Sequence, residues 1–247
     1  MKLVLTCEHG GNVIPKDYIC YFNGYEAILN SHRGYDLGTL DVFEFLKPLA
    51  DSSFSSDVSR LLIELNRSFH HPNLFSEFTE SISKSEKEIL INSYYLIFRN
   101  AVENTINDWI SKNETVLHLS IHSFTPILNK EKRNCDIGLL YDSKRIDEKL
   151  FCTSFKKEIR AINPKLKVRY NYPYLGRADG FTSYLRKQFE SNYLGIEIEV
   201  NQKYSQNNQM DNQIKSVLSK SIASILNKSQ VFKQKKSHFW LFFYVMS

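Results

Sequence analysis

The sequence lacks the features that mark a membrane or secreted protein. No window approaches the roughly 18 apolar residues that a membrane-spanning helix needs. The four cysteines show no CxxC spacing, and the N-terminal segment reaches the Glu8-His9 pair before a signal-peptide core is complete. We therefore expect reduced thiols, no membrane span and a cytoplasmic location.

Nothing within the chain marks a boundary between two domains. Internal repeats, Gly/Ser linkers and low-complexity blocks are missing from its 247 residues, a length that a single α/β domain commonly reaches. We expect one folded domain over residues 1–230 and a basic and apolar tail over residues 231–247. The tail ends in HFWLFFYVMS, which is too short to cross a bilayer, so it either docks on the domain or contacts another chain.

Positive charge exceeds negative charge only slightly. Lys and Arg number 32 against 27 Asp and Glu, which gives a formal net charge of +5. The densest basic run, KQKK at 233–236, is interpreted as a solvated tail, and no cluster of basic and aromatic residues accompanies it. The sequence therefore does not predict nucleic-acid binding.

Short β-rich segments alternate with helical patterns along the chain. Strands are predicted at KLVLTCE, DVSRLLIEL, TVLHLSIHS, CDIGLLYD, LKVRYNYP and YLGIEIEV, and helices fit residues 36–50, 84–112, 145–161, 179–190 and 210–228. This alternation predicts a single-domain α/β fold with a mixed central sheet flanked by helices. Sheets of this kind place their sites at strand ends, where loops begin.

Candidate metal ligands stand at such ends. His9 follows the first predicted strand, His122 follows LHLSI, and Asp36 stands at the predicted start of a helix. Imidazole and carboxylate ligands of this kind suit a catalytic zinc ion, which keeps one position open for water. Glu8 is the alternative carboxylate, but adjacent strand residues point to opposite faces, so the chain would have to turn at Gly10-Gly11 for Glu8 and His9 to share a metal.

His118 shares a strand face with His122. At the strand rise of about 3.3 Å per residue the two lie about 13 Å apart, too far for one metal ion. We interpret His118 as a structural or supporting residue.

Two glutamates are candidates for a general base, which metal-assisted hydrolysis needs to move a proton. Glu197 and Glu199 lie on one face of the strand GIEIEV, where burying a carboxylate is costly without a partner or a purpose. An ion pair with an arginine is the structural alternative. The residues alone do not decide between a general base and an ion pair, and they do not decide between Glu197 and Glu199.

Arginines offer a site for an anionic substrate, because the planar guanidinium matches a carboxylate. The segment SRLLIELNRS contains Arg60, Asn66 and Arg67, and the adjacent Asn66-Arg67 pair is the favoured anchor. Arg133 and Arg177 are further candidates. An ion pair with Glu64 or Asp57 is the structural alternative for the arginines of this segment.

Seven segments in order resemble the N-formylglutamate amidohydrolase family: CEHGGNVIP, HRGYDLG, SRLLIELNRS, HLSIHSFTP, CDIGLLYD, NYPYLGRADGFT and GIEIEVNQKY. They span nearly all of residues 1–204. The resemblance implies a sheet-centred fold like that of the zinc carboxypeptidases and zinc exopeptidases. It also implies one divalent metal, with zinc as the expected ion, and hydrolysis of an N-acyl amino acid.

The resemblance also implies roles for single residues. His9, Asp36 and His122 become the metal ligands, and Glu199 becomes the general base. The Asn66-Arg67 pair resembles the one that grips a substrate carboxylate in carboxypeptidase-like enzymes, and the resemblance suggests that Arg60 or Arg133 polarises the acyl carbonyl.

Two departures from the family pattern concern the substrate. Glu8 stands where many members have Pro, and Glu64-Leu65 stand where many have an Asp-Val-like pair before Asn-Arg. These differences favour a branch with another acyl group or amino acid, although N-formyl-L-glutamate is the leading substrate. The alternative from another functional class is a non-catalytic protein that keeps the fold and binds a metal or an amino acid.

Overall fold

The protein is built around one six-stranded sheet. The computed structural model describes the backbone of residues 1–244 and the side chains of residues 1–228. The strands are β1 (Lys2–Cys7), β2 (Ser52–Ser55), β3 (Val116–Phe124), β4 (Ile137–Leu140), β5 (Val168–Tyr170) and β6 (Tyr193–Asn201). Their order is β2-β1-β3-β6-β4-β5; β4 runs antiparallel to β6, whereas the other neighbours are parallel. The mixed central sheet predicted from the sequence is thus confirmed.

Helices connect and cover these strands. They are α1 (Glu26–Leu29), α2 (Thr39–Leu46), α3 (Lys84–Leu90), α4 (Leu96–Ile110), α5 (Ile146–Ile162), α6 (Phe181–Gln188) and α7 (Asn212–Tyr244). A π-helical turn at Ile91–Tyr95 joins α3 to α4, and 3-10 turns lie at Lys16–Phe22, Lys47–Leu49 and Gln202–Tyr204. Among the described residues, no helix is long and apolar enough to cross a membrane.

The two faces of the sheet differ in character because strand side chains alternate. One face is apolar along its whole length and packs against α2, α5 and α7, as Leu5, Phe43 and Leu218 do. The other face begins apolar, with Val4 and Val116 against α4 and α6. Toward the strand ends this second face turns polar and carries the side chains from which the site is built.

One predicted strand is wrong. DVSRLLIEL forms turns rather than a strand, although Leu61, Leu62, Ile63 and Leu65 are all buried. The Ser76 hydroxyl donates to the Leu61 carbonyl and the Thr79 hydroxyl to the Leu62 carbonyl at 3.1 Å. Side chains from a distant loop therefore satisfy backbone groups that a strand would pair within a sheet.

The edge strand β2 is not predicted from the sequence, because SSFS lacks the apolar alternation that is typical of a strand. At the other end, the α7 backbone continues through most of the predicted tail. The predicted packing of that tail lies outside the described side chains, and the boundary at residue 230 stays a prediction.

Candidate active site

His9 leaves the sheet through a tight turn after β1. Gly10 N–H donates to the Ser56 carbonyl at 3.0 Å, and a Cβ on Gly11 would lie 2.5 Å from the Asp57 carbonyl oxygen. Only glycine allows the chain to pass so closely. The turn leaves Glu8 on the polar face of the sheet and places His9 beyond the strand end.

Asp36 joins His9 to His122. Its backbone N–H donates to the His9 carbonyl at 3.0 Å, which holds the segment before α2 over the end of β1. Its Oδ2 lies 2.9 Å from His122 Nδ1 and 3.3 Å from His9 Nδ1. All three side chains are buried, and one ligand atom of each lies within 4.8 Å of the other two. These three residues could therefore hold a metal ion.

A carboxylate and an arginine support His9 from behind. His9 Nε2 hydrogen-bonds to Glu64 Oε1. Arg60 donates from Nε and Nη2 to Glu64 Oε2 at 2.9 and 2.7 Å, and from Nη1 to Asp36 Oδ1 at 3.0 Å. Arg60 thus balances the charge of the two carboxylates that contact His9.

The buried charges stabilise one another. Burial alone would raise the pKa of Asp36, but the neighbouring His9, His122 and Arg60 hold it well below its usual range. Burial likewise opposes protonation of His122, yet Asp36 and Glu8 raise its pKa well above the ordinary value. Asp36 is consequently ionised, the state in which a carboxylate binds a metal.

Glu199 has a different environment. It lies beside His122 across the β3–β6 pair, and its side chain is buried with Oε2 lacking a hydrogen-bond partner among the described residues. Burial, supported by Asp36 and Glu197, raises the pKa of this carboxyl to about 8. Glu197 is only half-buried and accepts a hydrogen bond of 2.6 Å from the Thr182 hydroxyl. A buried carboxyl that takes up a proton near neutral pH is typical of an acid-base group.

These residues open onto a pocket of about 190 Å³. Its walls are formed by His9, Asp36, Arg60, Asn66, Arg67, His122, Ser123, Tyr174, Leu175, Ala178, Asp179, Glu197 and Glu199. Asn66 and Arg67 form one wall, which is tied to the loop before α6: Asn66 Oδ1 accepts from Phe181 N–H at 2.7 Å, and Arg67 Nη1 donates to the Asp179 carbonyl at 2.8 Å.

The sequence-predicted residues do not all reach the pocket. His9, Asp36, His122, Glu199, Asn66, Arg67 and Arg60 line it, whereas Arg133 and Glu8 do not. Arg133 lies near the margin, with Nη1 3.2 Å from the hydroxyl of Tyr174. Glu8 lies behind His122, with Oε2 3.3 Å from its Nε2, on the opposite side of the ring from Asp36.

Several contacts were not foreseen from the sequence. The sequence predicts Glu64 only as an ion-pair partner for an arginine, and the structure contains that pair together with a contact from Glu64 to His9. Tyr174 and Asp179 also line the pocket, and both belong to NYPYLGRADGFT, a segment that carries the family resemblance. Their place in that segment is the sequence signal that points to these two residues.

Comparison with known proteins gives a family match over most of the chain. The sequence model of the N-formylglutamate amidohydrolase family matches residues 1–205. No curated protein matches the chain significantly.

Solved structures with a similar fold include a gene product of Agrobacterium tumefaciens, with 23% identity, a TM-score of 0.72 and coverage of 91% of each chain. Another is the N-formylglutamate amidohydrolase of Ralstonia eutropha, with 15% identity, a TM-score of 0.68 and coverage of 95% of each chain. A weaker likeness, to a metallo-carboxypeptidase from Burkholderia cenocepacia, has 13% identity and a TM-score of 0.40 over 94% of this chain and 58% of that one.

Proposed function

Because this chain belongs to the N-formylglutamate amidohydrolase family, we propose that it hydrolyses the amide bond of an N-acyl amino acid in a metal-dependent reaction. N-formyl-L-glutamate is the leading substrate. The observation that carries the proposal is the convergence of His9, Asp36 and His122 at a pocket that also contains Glu199, whose Oε2 has no hydrogen-bond partner among the described side chains.

The chemistry of the side chains fits a zinc ion. Two imidazoles and one carboxylate would hold it, and their ligand atoms already lie close together in a buried site. When bound, the ion supplies Lewis-acid catalysis, which strengthens water as a nucleophile and polarises an amide carbonyl. Glu64 and Arg60 keep the His9 ring in place from the far side.

Glu199 is the proposed general base. Its Oε2 takes a proton from water as the water oxygen bonds to the acyl carbon, and the same oxygen then delivers that proton to the nitrogen of the amino acid as the C–N bond breaks. With a carboxyl pKa near 8, the ionised form that accepts the proton becomes more abundant as pH rises toward 8, and the protonated form can donate to the leaving nitrogen. Glu197 is less suited, because one of its oxygens is engaged by Thr182.

The Asn66-Arg67 wall is the proposed anchor for the substrate carboxylate. Arg67 is held toward the pocket by the Asp179 carbonyl, and a guanidinium can grip a carboxylate through two parallel hydrogen bonds. Arg60 and Arg133 are the candidates for polarising the acyl carbonyl. Arg60 is the better placed of the two, since it lines the pocket.

Kinetics of the two glutamate variants would test this function. Zinc-loaded protein is assayed with the N-formyl, N-acetyl and N-succinyl derivatives of glutamate. We expect Glu199→Gln to reduce kcat by roughly 10²- to 10⁴-fold, as loss of a general base does. Glu197→Gln, a change two residues away on the same strand face, is the matched control and should retain most of the activity.

Two results would overturn the proposal. One is hydrolysis by Glu199→Gln at the wild-type rate. The other is binding of N-acyl amino acids by the wild type without turnover of any of them, which would favour the non-catalytic alternative.

A further inference from the structure

A column of polar side chains runs beneath the pocket on the polar face of the sheet. Tyr193 OH lies 2.7 Å from His118 Nδ1, and His118 Nε2 lies 2.8 Å from the Thr6 hydroxyl. Above them, the Ser120 hydroxyl lies 2.8 Å from both Glu8 Oε2 and His122 Nε2. Only the upper part of the column therefore touches one of the proposed metal ligands.

The hydrogens of this upper part can be assigned from chemistry. A carboxylate only accepts hydrogen bonds, so the single hydroxyl hydrogen of Ser120 must point to Glu8. The Ser120 oxygen is then left to accept from His122, which requires a hydrogen on Nε2. A neutral His122 ring with its hydrogen on Nε2 has its lone pair on Nδ1, the nitrogen that faces Asp36.

We propose that Glu8 is a positioning residue that, through Ser120, fixes the ring orientation and the tautomer of His122 so that Nδ1 is presented to the metal. This inference depends on the proposed function, in which His122 is a metal ligand. Carboxylates behind ligating histidines commonly act in this way. In this proposal Glu8 is not the alternative metal ligand, because it lies on the far side of the His122 ring from Asp36 and outside the pocket.

The burial of Glu8 supports a specific role. The side chain is fully buried, and its Oε1 has no hydrogen-bond partner among the described residues. A carboxylate in such a place is costly unless its charge is used, and its ion-pair partner is His122. A glutamine of the same shape would lower that cost, but its amide could donate to Ser120 and so permit the opposite tautomer of His122.

Zinc affinity and the tautomer of His122 test the inference. The zinc Kd of the full-length protein is measured by competition with a chelator, and long-range ¹H–¹⁵N spectra of the metal-free protein, recorded at a pH high enough to make the ring neutral, report which ring nitrogen of His122 carries hydrogen. For Glu8→Gln we expect a zinc Kd that is about 10- to 100-fold higher, together with loss of the single Nε2–H tautomer. Tyr193→Phe removes a hydroxyl from the lower part of the same column and should change neither readout.

If Glu8→Gln does not fold, Ser120→Ala provides the second test. It removes the hydroxyl between Glu8 and His122, and the expected loss of affinity is smaller because Glu8 Oε2 still lies 3.3 Å from Nε2.

His122→Ala separates the two levels of the proposal. If His122→Ala loses zinc while Glu8→Gln stays within about twofold of the wild type with an unchanged tautomer, the inference about Glu8 is wrong and the metal site stands. If His122→Ala binds zinc as tightly as the wild type, the proposed ligand set itself is wrong, and the inference is refuted with it.

Discussion

Glu199 should make the stability of the metal-free protein depend on pH. Burial raises the pKa of this carboxyl from 4.5 to about 8, so the folded protein holds the proton more tightly than the unfolded chain does. Above pH 4.5 the unfolded chain releases the proton and the folded protein does not. The free energy of unfolding therefore decreases as pH rises from about 4.5 to about 8.

The size of this effect follows from the pKa change. One pKa unit corresponds to about 1.36 kcal/mol, so the destabilisation from Glu199 reaches on the order of 4 kcal/mol at pH 8 and stays below about 1 kcal/mol at pH 5. Glu199→Gln removes this contribution because an amide does not ionise. For a chain of this size the variant should gain roughly 10 °C in Tm, relative to the wild type, between pH 5 and pH 8.

Thermal unfolding in the presence of a chelator measures this difference. Wild type, Glu199→Gln and Glu197→Gln are compared at several pH values between 5 and 8. Glu197→Gln controls for the loss of a carboxylate on the same strand face. A Tm difference between wild type and Glu199→Gln that stays constant across this range would refute the reasoning.

Two further predictions concern the turn after His9 and the carboxylate anchor. Gly11→Ala forces a Cβ to within 2.5 Å of the Asp57 carbonyl oxygen, so we expect a lower Tm and a higher zinc Kd. Gly24→Ala, whose Cβ meets nothing within 4 Å but whose φ is +80°, should lower Tm as well and leave zinc affinity unchanged. An unaltered zinc Kd in Gly11→Ala would show that the turn does not position His9. Arg67→Lys should raise the KM for N-formylglutamate about tenfold at constant zinc content, because an ammonium group cannot grip a carboxylate bidentately. An unchanged KM would exclude Arg67 as the anchor.

The sheet and the polar strand ends could be predicted from the sequence because their signals are local. In β1, β3 and β6, apolar residues run continuously or alternate with polar ones, and polar residues lie in or just after the last part of each strand. His9 and His122 followed from that pattern, and their parallel strands lie side by side. Asp36 depended on the family resemblance, since its position is set by a backbone hydrogen bond to His9 that no sequence pattern reveals.

The segment before Asn66 could not be predicted because its partners are remote. Its apolar residues suggest a strand, yet Ser76 and Thr79 bind its carbonyl groups and its side chains are buried in a separate cluster. Glu64 reaches His9 only because of that irregular path. The contact of Glu8 with Ser120 likewise depends on where the chain turns after β1, which composition and periodicity do not encode.

The most direct test of the central claim combines metal analysis with turnover in the same samples. Wild-type protein should contain about one zinc ion per chain and hydrolyse N-formylglutamate or a related N-acyl amino acid, and His122→Ala should lose both properties together. Wild-type protein without stoichiometric zinc, or His122→Ala that hydrolyses the substrate as fast as the wild type, would contradict a metal site formed by His9, Asp36 and His122.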